Sequence, residues 1–211
     1  TGGKGFIGSH LVKALVERGC NVVVFDLPTS NPLSYFDEQQ LHKQSVLEYG
    51  DIADFPRVNS VITKHKIDFV FHLAAQAIVE TVYNNPLYAI SSNVMGTANV
   101  LESSRLYSNV EGVLVTSTDK AYGKLPRVSE ADPISGDHPY EVSKSSSDLI
   151  ARSYYETYKL PIVVTRFGNV YGEGDLNFSR IIPGTISSII NNETLMIRSN
   201  GKYFRDYIYV D

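Results

Sequence analysis

Of 211 residues one is cysteine, none is tryptophan and two are methionine. A lone Cys20 excludes an internal disulfide and fits a reducing compartment, and without Cys and His grouped at ligand spacing no metal site is expected. No apolar run approaches the roughly 18 residues of a membrane span, and no stretch reads as a signal peptide. A formal charge of -4 supplies no basic field, which argues against nucleic-acid and membrane binding while leaving room for a local phosphate site. Repeats, low-complexity tracts and long runs of one charge are also missing. What is present, 43% hydrophobic and 20% charged residues, is the composition of a soluble globular protein, and we expect a cytoplasmic location. The chain opens on Thr1 without a methionine and stops just after the apolar run Tyr207-Ile-Tyr-Val210. Both ends look cut, and a fragment is expected.

Short apolar runs alternate with longer segments of helical period, the rhythm of repeated βαβ units around a parallel sheet, so the fold class is α/β. Strands are predicted at 21–25, 68–73, 112–116 and 161–167, each rich in Val, Ile or Phe as strands buried on both faces are. Helices are predicted at 6–18, where Ile7, Leu11 and Leu15 share a face and Gly19 follows as a cap, and at 93–107 and 140–158. Beyond Gly172 the pattern weakens into a glycine-bearing loop, a helix at 179–190 and a short strand around Met196.

Gly2, Gly5 and Gly8 open the first helix with two residues between successive glycines. Glycine there permits a tight turn and close backbone approach to a pyrophosphate, which the free amides of the helix start, at Phe6, Ile7 and Gly8, would bind. Alone, a flexible turn fits the pattern equally well. Asp26 adds to it: ending the next strand eighteen residues after Gly8, it would accept hydrogen bonds from an adenosine ribose. A carboxylate there repels a 2′-phosphate, and no arginine follows it, so NAD is favoured over NADP. Asp51 and Ile52 would flank the adenine, and Leu73, Ala74 and Ala75 end a strand with space for a cofactor. His72 reads equally as a core histidine or a functional one. His10, His42, His65 and His138 form no cluster and receive no role.

Tyr-x-x-x-Lys occurs twice, at Tyr140/Lys144 and Tyr155/Lys159. The two pairs lie on one predicted helix about 22 Å apart, so both cannot serve one site. Tyr140 follows Pro139 at the helix start, near the strand ends where ligands bind in such sheets, which makes Tyr155/Lys159 the decoy. Residues four apart share a face, so a Lys144 ammonium beside the Tyr140 phenol would favour its anion and make it a usable base. Ser117 or Thr118, just after a strand, would supply the hydroxyl that shares the substrate proton.

Together these residues resemble the extended short-chain dehydrogenase/reductase family of NAD-dependent nucleotide-sugar epimerases and dehydratases, over nearly the whole chain. The resemblance also rests on Asn93-Val-Met-Gly-Thr97, Arg166-Phe-Gly-Asn169-Val-Tyr171-Gly172 and Arg205-Asp206-Tyr207. It implies a Rossmann-like doubly wound parallel sheet over 1–172 lacking its first strand, the beginning of a nucleotide-sugar substrate region over 173–211, and NAD as cofactor. Asn169 and Arg205 would touch the nucleotide sugar, Arg205 holding its diphosphate. The phrase from Gly174 to Pro183 looks like the substrate loop of the dehydratases and adds Asn177 and Arg180. Asp119-Lys120 resembles the CDP-glucose 4,6-dehydratase branch, where the dTDP-glucose enzymes carry Asp-Glu. That resemblance implies oxidation at C4 with Tyr140 and Thr118, removal of the C5 proton by Lys120 and protonation of the departing C6 hydroxyl by Asp119. A 4-epimerase would need only Tyr140 and Thr118, and a non-catalytic NAD-binding scaffold would need neither. Helices 93–107 and 140–158 resemble the pair that forms the family homodimer, with Leu101, Leu149 and Ile150 as apolar candidates.

Overall fold

The computed structural model describes residues 1–29, 31–124, 127–197 and 199–211. Helix α1, Phe6–Glu17, starts without a side-chain cap. It ends as expected at Gly19, whose φ is +79°. Gly19 N donates to Val16 O and Cys20 N to Leu15 O, at 2.9 and 3.0 Å, the bond pair that closes a helix on a left-handed glycine. The chain then runs into β1, Val23–Asp26. Neighbouring side chains there face opposite ways: Val24 packs with Val12 of α1, whereas Phe25 packs with Val58 and Val61. Period-two alternation thus places helices on both faces of the sheet.

Strands β2, Val46–Tyr49, β3, Phe69–His72, β4, Gly112–Thr118, and β5, Ile162–Phe167, follow. β1 pairs with β2 and β3–β4–β5 pair in order, all parallel. Between these blocks runs the Thr1–Gly2 segment: Gly2 N donates to Phe25 O at 3.0 Å and Leu73 N to Thr1 O at 3.2 Å. α3, Phe55–Lys64, and α6, Gly96–Leu106, pack together on one face, and α7, Pro139–Tyr158, packs beside α6. The expected α/β class and parallel doubly wound sheet are therefore present.

Several elements depart from expectation. Helix 93–107 divides, because Ile90–Met95 forms a wider turn before α6. Helices α2, Tyr35–Glu38, α4, Val79–Asn84, and α5, Pro86–Ala89, are short local turns. Among the described residues no strand forms around Met196, which is 84% exposed; three apolar residues without a partner strand do not make one. The chain instead returns as β7, Tyr207–Tyr209, parallel to β6, Asn169–Tyr171. α8, Ile181–Ile190, lies between them in sequence.

Candidate active site

At the glycine turn a side chain is excluded by main chain. A Cβ on Gly2, whose φ is +72°, would stand 2.6 Å from Ala74 N, and one on Gly8 would stand 2.1 Å from Gly2 O. Gly5 N closes the turn on Gly2 O at 3.2 Å. Asp26 lies against it, its carboxylate accepting from Lys4 N at 2.9 Å and Leu27 N at 2.8 Å. Gly2, Gly5, Asp26, Leu73 and Ala74 are thus brought together, with the uncapped amides of Phe6, Ile7 and Gly8 at the start of α1. These residues fit a dinucleotide: a glycine cradle that a Cβ would fill, unpaired amides for phosphate, and a carboxylate with acceptor capacity left over. Asp51 and Ile52 lie on the next loop, where Asp51 accepts from Ala53 N at 2.9 Å. The Ile52 side chain belongs to the core, and its carbonyl accepts from Asn99 Nδ2 at 3.0 Å. His72 is settled as a core histidine: buried, it bonds Thr1 Oγ1 at 2.8 Å and Thr97 Oγ1 at 3.0 Å. Burial holds its pKa well below the usual range, so it is neutral.

Thr118 ends β4 and caps the turn Asp119–Tyr122, accepting from Lys120 N at 3.3 Å. Its hydroxyl donates to Asp119 Oδ1 at 3.0 Å. Tyr140 is set in the first turn of α7 by a capping box, in which His138 Nδ1 accepts from Tyr140 N at 3.1 Å and Glu141 Oε2 accepts from His138 N at 3.2 Å. Lys120 Nζ stands 5.8 Å from the centre of the Tyr140 ring. Thr118, Asp119, Lys120 and Tyr140 therefore form one cluster, and Ala75 follows Ala74 at the neighbouring strand end. Tyr155 and Lys159 lie at the far end of α7.

The electrostatics of the pair differ from expectation. Burial, and then Asp119, push the Tyr140 phenol above its ordinary pKa, with Thr118 and Arg180 pulling the other way. Lys144 is buried and donates to Thr116 O. Burial brings its pKa down to about 8, with Asp148 opposing. The ammonium faces a main-chain carbonyl, so the expected lowering of the phenol by Lys144 is not what this arrangement produces.

Of the substrate candidates, Arg180 acts on the Tyr140 phenol by its charge and donates to Asp175 Oδ2 at 2.9 Å. Asn177 accepts from Ser179 N and Oγ at 3.2 and 2.6 Å. Asn169 Nδ2 donates to Asp206 O at 3.1 Å. Arg205 is exposed and donates to Phe204 O of its own loop at 2.8 Å; among the described contacts it does not join the Tyr140 cluster. Sequence reasoning also missed the support behind α7. Arg166 donates twice to Asp148, at 2.7 and 3.1 Å, and to Tyr122 Oη at 2.6 Å. Buried Asn93 donates to Ser143 Oγ at 2.9 Å, and Ser147 Oγ donates to Asn93 O at 2.7 Å. The serines 143 and 147, four apart on a helix that also presents Lys144, were the available signal.

Comparison with known proteins gives a consistent picture. The family model described as GDP-mannose 4,6 dehydratase matches residues 1–211. The CDP-glucose 4,6-dehydratase of Salmonella typhimurium is 34% identical over 211 residues, covering 94% of this chain and 59% of its own length. The human dTDP-D-glucose 4,6-dehydratase is 33% identical, covering 99% of this chain and 61% of its own. Among solved structures, UDP-glucose 4-epimerase of Thermotoga maritima with UDP-glucose superposes at a TM-score of 0.89 and 30% identity, covering 99% of this chain and 68% of its own. A dTDP-glucose 4,6-dehydratase from Streptomyces venezuelae, solved with NAD, gives 0.88 and 29%, covering 99% and 66%. The chain spans about three fifths of the length of the first two relatives.

Proposed function

The chain belongs to the GDP-mannose 4,6-dehydratase family, and from that premise we propose that the protein is an NAD-dependent 4,6-dehydratase of a nucleotide hexose such as CDP-glucose. One observation carries the reading: Asp119 and Lys120, a second acid and a second base, stand with Thr118 and Tyr140 in a single cluster. A 4-epimerase has no use for the first two. Relatives named as CDP-glucose and dTDP-glucose 4,6-dehydratases support the reading.

In this reading Gly2, Gly5, Phe6, Ile7, Gly8 and Asp26 hold the adenosine and pyrophosphate, with Asp51 and Ile52 beside the adenine. Leu73, Ala74, Ala75, Tyr140 and Lys144 face the nicotinamide. NAD⁺ supplies a hydride acceptor and a positive charge beside Tyr140. Burial and Asp119 hold the Tyr140 phenol above its ordinary pKa against Thr118 and Arg180; a cation bound beside it would favour the phenolate and so the use of Tyr140 as base for the C4 hydroxyl. Thr118 orients that hydroxyl. Lys120 as the free amine would take the C5 proton, which a C4 ketone makes acidic, and Asp119 as the carboxylic acid would protonate the departing C6 hydroxyl, which leaves as water. The hydride taken from C4 then goes to C6, a proton returns to C5 from Lys120, and the 4-keto-6-deoxy sugar is complete. Asn169, Asn177, Arg180 and Arg205 bind the nucleotide sugar. Of the apolar candidates for a homodimer through α6 and α7, Leu101 is fully buried and Ile150 packs against the core, so neither is free to pair; the exposed Leu149 and Leu106, 53 and 55% accessible, are what favour that dimer. A cytoplasmic location fits the single, exposed Cys20.

The test is turnover of CDP-glucose with NAD⁺ in D₂O by the full-length protein. A 4-keto-6-deoxy product with deuterium at C5 is expected. Lys120→Ala should give transient NADH absorbance and no product, since the C5 base is lost while Tyr140 remains. A C4-inverted sugar without C5 deuterium would establish an epimerase, and bound NAD without turnover a scaffold.

A further inference from the structure

His10, two residues beyond Gly8 on α1, is buried at 8% accessibility and is not used by the chemistry above. Its ring touches four segments. Nε2 donates to Glu173 O at 2.9 Å, and Nδ1 meets Asp211 Oδ1 at 3.1 Å. The ring stacks on Tyr35 of α2, with centres 4.0 Å apart and planes 4° from parallel, and meets Phe6 edge-on at 5.7 Å. A carbonyl and a carboxylate only accept, so the ring nitrogen is the donor in each bond that forms. The other charged or titratable groups around it are Tyr35 itself, whose hydroxyl accepts from Lys13 Nζ at 3.0 Å, and Glu173 and Glu17 near Lys13.

The turn that His10 holds also packs against Val210 beyond β7 and Tyr35 of α2. A Cβ on Gly172 would stand 2.5 Å from Val210 Cγ1, and one on Gly174, at φ +79°, 2.6 Å from Tyr35 Cβ. The same turn carries Asp175, 8% accessible, which receives Arg180 Nη1 at 2.9 Å. Arg180 is the cation whose charge reaches Tyr140. Contacts thus lead from the helix start at the glycine turn, through His10 and the 172–175 turn, to Arg180, whose charge is felt at Tyr140.

We propose that His10 is a positioning residue that clasps the 172–175 turn and the β7 end to α1, so that occupation of the glycine turn and placement of Arg180 rise and fall together. The coupling half of this rests on the dinucleotide reading given above; the clasp does not. A ligand seated on the amides at the start of α1 fixes that helix, and a fixed α1 fixes the turn that holds Asp175. His10 then transmits order between two parts of the site without touching substrate.

Amide exchange read by mass spectrometry on the full-length protein tests both halves. Without cofactor, His10→Ala should speed exchange at residues 172–176 by about tenfold, a change of 1.4 kcal/mol. Residues 113–115 and 163–165 of β4 and β5 should be unchanged. His10→Gln, which keeps a donor toward Glu173 O, should recover most of the protection, and Asp211→Ala should lose part of it. Unchanged exchange at 172–176 in His10→Ala overturns the clasp. If His10→Ala unfolds, seen as faster exchange in β4 and β5 as well, His10→Gln and Asp211→Ala decide instead. NAD should then slow exchange at 172–176 in the wild type and leave it unchanged in His10→Ala. Equal slowing in both overturns the coupling. A wild type that does not bind NAD in calorimetry sinks the cofactor reading and the coupling with it, while the comparison without cofactor still decides the clasp.

Discussion

Around Asp26 both fixed partners of the carboxylate are main-chain amides, those of Lys4 and Leu27, and the glycine turn beside it is closed by main chain on main chain. Around Tyr140 the fixed points are side chains: Thr118 on Asp119, Arg180 on Asp175, and behind them Arg166 on Asp148. The difference governs what each half tolerates. A site made of backbone survives most side-chain replacements and fails at one misplaced Cβ; a site made of side chains fails when one partner leaves another buried and alone. It also governs charge, because burial shifts ionisable side chains and has no such hold on amides.

The comparison breaks hardest behind Tyr140. Arg166→Ala leaves the Asp148 carboxylate, whose side chain is 5% accessible, without its guanidinium. Urea unfolding should show a loss of about 3 kcal/mol or more, and Arg166→Met with Asp148→Leu should regain at least half of it. A double variant no better than the single would mean the pair is not what holds β5 to α7. At the other end Gly8→Ala should destabilise by about 2 to 3 kcal/mol, since its Cβ meets Gly2 O. A fully stable Gly8→Ala protein would show that the turn is softer than its contacts.

Lys144 sharpens the contrast through pH. Its folded pKa of about 8 lies below the ordinary 10.5, so between those values the unfolded chain holds a proton that the folded one has released. Stability should therefore rise with pH across that window, by about 2 kcal/mol from pH 8 to 10, and Lys144→Met should abolish the rise. Beyond about pH 10 the raised Tyr140 acts in the opposite sense, because the unfolded phenol ionises first. Chemical denaturation of both proteins at several pH values reads this directly. The smallest effect is expected at Asp26. Asp26→Ala should weaken NAD about tenfold and narrow the gap to NADP, whereas Lys4→Ala, which removes a side chain but not the amide, should change NAD affinity less than about threefold. Calorimetry that ranks the two variants the other way would reverse the assignment of main chain and side chain at this end.

The same division explains what could be read from the sequence. Glycine spacing and an acidic residue after a strand report main-chain geometry, which is local, and the structure brings Gly2, Gly8 and Asp26 together as that pattern requires. β2 was missed because its apolar run is interrupted by Glu48, whose buried charge is balanced from α3 by Arg57, Lys64 and by His65, each at 2.6 Å. Those three contacts hold the Glu48 pKa down to about 2, Lys64 contributing most. Such compensation comes from another segment and leaves no trace in the strand itself. The state of Tyr140 was equally illegible, since burial, which raises its pKa most, is set by tertiary packing, and Arg180, which opposes the rise, lies forty residues onward. His10 carried no signal at all, because both its acceptors lie more than 160 residues away.

The Thr1–Gly2 segment has a mechanical side. Gly2 N donates to Phe25 O of β1 while Thr1 O accepts from Leu73 N just beyond β3, so one dipeptide is fastened to two strands at once. A ligand reaching from Asp26 past Ala74 to Tyr140 would lie across the same joint like a splice plate. Binding to the folded chain alone would then add about 2.7 kcal/mol to stability when the ligand is present at a hundred times its dissociation constant.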